Sequence, residues 1–138
     1  MCTLVASRSE DGSTKCGTVI VGMGNQVIST GYNGFPRGIK NTPERNERPL
    51  KYSFFEHSER NAIYNAARSG VSTLGATIYV TGYPCCDCVR AIIQAGIVRV
   101  IIPGERNQEG FEERWKESIA VSKEMLAEAG IQLIDTTK

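Results

Sequence analysis

The sequence is short of histidine: His57 stands alone among 138 residues. That count excludes every metal site built on two or more imidazoles, including a closed site of two cysteines and two histidines. No run of about 18 apolar residues occurs, which leaves nothing to form a membrane-spanning helix. The segment Met1 to Arg8 lacks the apolar stretch of a secretory signal. Excess charge of one sign is missing as well. There are 16 basic and 15 acidic residues, and a net charge of +1 gives no electrostatic footprint for duplex DNA or long RNA. A disulfide framework is also unsupported, because it wants an even number of cysteines at wide spacing. Here there are five, three of them crowded at 85, 86 and 88. The expectation is a reducing, cytoplasmic setting with cysteines that bind metal.

What is present reads as one compact domain over residues 1–138. Cys16 to Val21 and Gln26 to Tyr32 are β-branched runs separated by Gly22-Met23-Gly24-Asn25, which predicts a hairpin. A turn-rich segment follows at Asn33 to Gly38, then a polar loop from Ile39 to Tyr52. Ser53 and Glu56 have the spacing of a capping box, so a helix is predicted from Ser53 to Arg68. Ala62, Ile63, Ala66 and Ala67 give it a narrow packing stripe whose small residues permit close approach to a sheet. Thr77 to Thr81 reads as a strand, Cys85 to Ala95 as a helix opened by Pro84 and closed by Gly96. Val98 to Ile102 is a strand ended by Pro103-Gly104. Phe111 to Ala129 is an amphipathic helix, and Ile131 to Ile134 a last strand. The order predicts an α/β fold: a three-layer α/β/α sandwich on a mixed five-stranded sheet, antiparallel at its start and parallel after it.

The chemistry concentrates in His57-Ser58-Glu59 and Pro84-Cys85-Cys86-Asp87-Cys88. Cys85 and Cys88 are three apart at a helix start, so both reach one ion while Cys86 points elsewhere. His57 sits near the start of the other helix, and both starts belong at the carboxyl ends of strands, where sites of open α/β sheets gather. Two cysteines and one histidine suit zinc and leave a fourth position open, the mark of a catalytic ion. Two thiolates cancel the charge of the ion, the two helix N-termini add a positive field, and zinc brings a bound water to a pKa near ~7. Glu59 is two residues from His57, near enough to exchange protons with that water. Other readings of the same residues stand beside this one. Cys2, Cys16 or Cys86 would close a structural site, and Cys85 with Cys88 would serve a thiol redox protein.

H-x-E with P-C-x-x-C is the signature of zinc nucleobase deaminases. The chain resembles that superfamily, and within it the deoxycytidylate deaminases. Gly31-Tyr32-Asn33-Gly34-Phe35-Pro36-Arg37-Gly38 is similar to their glycine-rich nucleotide loop. His57 to Ile63 and Ala91 to Ile97 are similar to their two site helices. Most relatives carry alanine where this chain has Ser58, and the first helix is shortened. The resemblance implies a cytidine deaminase-like fold and hydrolysis of deoxycytidine monophosphate (dCMP) to deoxyuridine monophosphate (dUMP) and ammonia. In it His57, Cys85 and Cys88 hold one zinc ion and Glu59 carries protons to N3 of cytosine and to the leaving amine. It also implies a homohexamer activated by dCTP and inhibited by dTTP, with Mg2+ accompanying a bound triphosphate.

The remaining pocket residues follow from the same resemblance and from charge. Asn33, Ser58, Tyr83 and Pro84 are expected at the sugar and base. Gly34, Arg37, Arg48 and Lys51 are expected at the phosphate of substrate or effector, where a guanidinium binds two oxygens at once. Tyr52 is a second candidate wall. Trp115 is expected in the core or at a subunit interface. Competing functions are a tRNA adenosine or guanine deaminase with the same zinc motifs, and a zinc-stabilised binding module without catalysis.

Overall fold

A computed structural model describes residues 1–103 and 111–136. Five strands form one sheet in the order β2-β1-β3-β4-β5. Strand β1 (Gly17–Val21) lies between β2 (Val27–Tyr32) and β3 (Thr77–Val80), and both pairings are antiparallel. Its residues are buried almost throughout, as a strand covered on both faces requires. The β1–β2 turn closes with the Gly22 N–H donating to the Gln26 carbonyl at 2.8 Å, and Asn25 takes the left-handed conformation that asparagine tolerates. From β3 the sheet runs parallel through β4 (Arg99–Ile102) to β5 (Gln132–Asp135). The parallel joins need crossovers, supplied by α4 (Cys86–Gln94) and α5 (Phe111–Glu128).

Three α-helices precede these crossovers: α1 (Cys2–Ala6), α2 (Lys51–Phe54) and α3 (Ser58–Arg68). Pleating sorts the helices into layers. Thr18 and Gly31 are register partners on one face, which receives α3; Gly17 is one residue on and faces α1. Ile20, Ile78, Val80, Val100 and Ile102 line the α3 face and meet Ala62, Val89, Ile92 and Leu126 in one buried cluster. The sandwich therefore has three layers, with the core on one side and the five-residue α1 on the other. Gly31 sets the distance between α3 and the sheet. A Cβ there would lie 2.4 Å from the Ala62 nitrogen and 2.5 Å from the Ser58 carbonyl oxygen. Gly31→Ala is expected to cost about 3 kcal/mol in urea unfolding, because neither contact is with a side chain that can rotate away.

The structure moves one boundary that matters for the site. Ser53 does not open α3. It ends within the short α2, Phe55 is extended, and α3 begins at Ser58 with His57 as its cap. The capping box fails because Glu56 is engaged elsewhere. Its main chain exchanges two hydrogen bonds with Gly34, and its Oε1 accepts from the His57 N–H at 3.1 Å and from Arg60 Nε at 2.5 Å. The polar loop before it also holds a 3-10 turn at Glu44–Asn46. Helix α4 ends as expected, with Gly96 left-handed after it. Of the stop signal Pro103-Gly104, Gly104 lies outside the described residues.

Candidate active site

His57 and Cys85 occupy equivalent places, each the extended residue that caps a helix with its backbone. Neither side chain is used in capping, so both are free to turn toward the gap between α3 and α4. Cys88, one turn into α4, is fully buried and reaches the same point. His57 Nδ1 lies 3.4 Å from the sulfur of Cys85 and 3.4 Å from that of Cys88. All three ligand atoms fall within 4.8 Å of one another. Zinc bonds of about 2.0 Å to nitrogen and about 2.3 Å to sulfur at tetrahedral angles separate the ligand atoms by about 3.5–3.8 Å, so the set fits zinc. Among the described residues no fourth histidine, cysteine or carboxylate joins the cluster. Cys86 is turned away and its N–H donates to Ser118 Oγ at 2.9 Å, while the Cys2 thiol donates to the Tyr79 carbonyl.

The three groups compete for protons. The Cys88 thiol donates toward Cys85, and with further help from His57 this holds the Cys85 thiol at about 4 despite its burial. Cys88 is pushed up for the same reason, as the donor of that bond, and by burial. The bond to Cys85 raises His57 against the effect of burial. A cation that binds here takes the thiols as thiolates and displaces their protons.

Glu59 stands in the first turn of α3 and is 6% exposed. Ser58 Oγ donates to its Oε1 at 2.7 Å. Glu59, His57 and Cys85 share one pocket with Cys16, Asn33, Arg48, Lys51, Tyr52, Phe55, Tyr83 and Trp115, with Val80 of β3 and Ile119 of α5. Residues 1–103 match the family described as the cytidine and deoxycytidylate deaminase zinc-binding region. The chain belongs to the cytidine and deoxycytidylate deaminase family. It is 41% identical over 133 residues to an uncharacterized deaminase in the luxG 3' region of Aliivibrio fischeri, covering 96% of this chain and 86% of that protein. It is 36% identical over 116 residues to a mouse deoxycytidylate deaminase, covering 79% of this chain and 64% of the relative's length. The fold is similar to that of a dCMP deaminase from the cyanophage S-TIM5, solved in complex with dCMP and dUMP, with a TM-score of 0.75 at 24% identity over 97% of this chain and 90% of that one.

The structure brings some of the expected site residues to this pocket and takes others away. Asn33 lines it, but its amide is occupied. Nδ2 donates to Asp11 Oδ2 and to the Thr14 carbonyl, and Oδ1 accepts from the Cys16 N–H at 2.8 Å, leaving one lone pair. Tyr83 forms part of the wall, with Lys123 Nζ 4.8 Å from its ring centre. Pro84 is buried and is not among the pocket residues; its carbonyl accepts from Ser122 Oγ. Gly34 pairs with Glu56 and so ties the glycine-rich turn to the segment before His57. Arg37 faces away. Its Nη2 donates to Asn65 Oδ1, in a second hollow with Ser29, Thr30 and Arg68. Arg48 is exposed at the rim, its guanidinium 5.9 Å from the Tyr52 ring centre.

Lys51 is in the pocket wall but only 7% exposed, with Nζ 2.9 Å from Asp11 Oδ1. Asp11 was not singled out by the sequence. It also accepts from the N–H of Ser13, an aspartate turn that looks the same in any loop. The pair locks the segment before β1 onto α2. Lys51→Met is expected to cost about 3 kcal/mol in urea unfolding, since it strands a buried carboxylate. Trp115 and Ile119 of α5 complete the wall.

Proposed function

We propose that this chain hydrolyses the 4-amino group of dCMP, giving dUMP, the precursor of thymidylate, and ammonia. The carrying observation is a buried carboxylate, Glu59, beside a three-ligand metal cluster in a pocket large enough to be walled by four aromatic rings. The mouse relative named deoxycytidylate deaminase supports the choice of substrate. His57 Nδ1, Cys85 Sγ and Cys88 Sγ would hold zinc, which would supply Lewis-acid activation of a water molecule. Glu59 takes one proton from the attacking water and delivers it to N3 of cytosine, then takes the second from the hydroxyl newly bonded to C4 and delivers it to the amine as the C4–N bond breaks and the C4 carbonyl forms. The N-termini of α3 and α4 direct their positive ends at the developing negative charge. Tyr52, Phe55, Tyr83 and Trp115 exclude water and offer faces to the pyrimidine. The main chain of Ser58 lies beside the base, and the remaining lone pair of Asn33 Oδ1 accepts from the sugar.

Arg48 is the candidate for the substrate phosphate. It is at the rim and has no carboxylate partner among the described ion pairs, whereas Lys51 is neutralised by Asp11. Arg37 and Arg68 belong to a second function, a triphosphate site for dCTP and dTTP, with Mg2+ on the triphosphate, in a homohexamer. The support is two guanidinium groups in one hollow beside the glycine-rich turn. Reduced thiols at the metal cluster fit a cytoplasmic protein folded as one domain over 1–138. Among the described residues no helix is long and apolar enough to cross a membrane.

The test is ammonia release by the zinc-loaded protein from dCMP, dCTP, CMP, deoxycytidine, guanine and a tRNA stem-loop. The proposal expects the highest kcat/KM for dCMP. Preference for guanine or the stem-loop replaces the substrate, and zinc-loaded protein inert toward all six is a binding module.

A further inference from the structure

Ser58 has a hydroxyl that helix formation does not explain. Serines in a first helical turn ordinarily bond a nearby backbone N–H. The α3 N-terminus has no side-chain cap bond, and Ser58 Oγ instead lies 2.7 Å from Glu59 Oε1 and 2.9 Å from Thr18 Oγ1. Both hydroxyl residues are completely buried. The geometry points to Ser58 as a positioning residue that fixes the catalytic carboxylate, with Thr18 acting through it. This rests on the deaminase reading of Glu59.

Proton counting sets the direction of the chain. Ser58 Oγ donates to Glu59 Oε1 and thereby uses its single proton. Ser58 Oγ then has only lone pairs for Thr18, so Thr18 is the donor to it. Thr18 is held by β1, paired with Gly31 on one side and Val80 on the other. The sheet, the most constrained part of the fold, is therefore connected through two hydroxyls to one oxygen of Glu59. With Oε1 occupied, Oε2 is the oxygen left to exchange protons in the pocket. The absence of a side chain at Gly31 makes this possible, since it lets the α3 backbone approach β1 closely enough for Ser58 to reach Thr18.

The experiment compares Ser58→Ala, Thr18→Val and the double variant, each loaded with zinc. Ser58→Ala is expected to lower kcat for dCMP about tenfold, the worth of one buried hydrogen bond to a charged group, with KM and zinc content unchanged. Thr18→Val is expected to lower kcat by about threefold alone and to add nothing to Ser58→Ala, because its effect passes through the hydroxyl already removed. A crystal structure of zinc-loaded Ser58→Ala is expected to show Glu59 in more than one rotamer with the three ligands in place. That structure reads the inference even if the wild-type protein does not turn over dCMP, a result that would overturn the functional reading alone. A single, unmoved Glu59 rotamer in Ser58→Ala overturns the positioning role. So does a kcat within twofold of wild type, or additive losses in the double variant.

Discussion

Glu59→Gln is expected to lose about 10³-fold or more in kcat while keeping a full complement of zinc. The amide has almost the shape of the carboxylate, and Gln Oε1 still accepts from Ser58 in the place that Glu59 Oε1 holds at 2.7 Å. Packing and metal binding are therefore preserved. What disappears is a basic oxygen that can pass one proton from water to N3 and a second from the C4 hydroxyl to the amine. No other described carboxylate replaces it. Asp11 is paired with Lys51, and Glu56 is bonded to Arg60 and to the His57 N–H. Rates by ammonia release, beside zinc content by mass spectrometry, check this. Turnover retained in the zinc-loaded variant removes the proton shuttle from Glu59.

Cys88→Ala is expected to bring the other large loss, in metal and stability together. Cys88 is fully buried and supplies one of three ligand atoms, so two remaining ligands cannot hold zinc at micromolar protein concentration. Zinc binds the folded site and not the unfolded chain. At about a thousandfold over its dissociation constant it contributes about 4 kcal/mol, which the variant forfeits. Thermal unfolding with and without a chelator measures this. The wild-type transition is expected to fall on chelation and that of Cys88→Ala to stay where it is. Full zinc occupancy in the variant removes Cys88 from the ligand set.

The metal-binding cluster and Glu59 are legible in the sequence because their geometry is local. Cys85 and Cys88 are one turn apart on a helix that Pro84 and Gly96 delimit, and His57 and Glu59 straddle the start of another. The sheet is legible for a similar reason, since strands alternating with helices leave few ways to pair. What depends on distant partners is not legible. Lys51 reads as a phosphate ligand until Asp11, 40 residues earlier, neutralises it. Ser53 and Glu56 satisfy a capping rule that Gly34, across the site, overrides. Arg37 sits four residues from Asn33 in the chain, but the turn between them sends it to Asn65 and away from the metal cluster. Thr18 reads as an ordinary strand residue, and only the sheet register with Gly31 brings it to Ser58.

Everything in the mechanism depends on a metal site with three protein ligands and one position left for water. X-ray absorption at the zinc edge of the purified protein tests that most directly. Two sulfur scatterers at about 2.3 Å and two lighter atoms at about 2.0 Å are expected, one of the lighter atoms belonging to the single imidazole of His57. A shell of three sulfurs would mean that another cysteine closes the site, and would contradict the account.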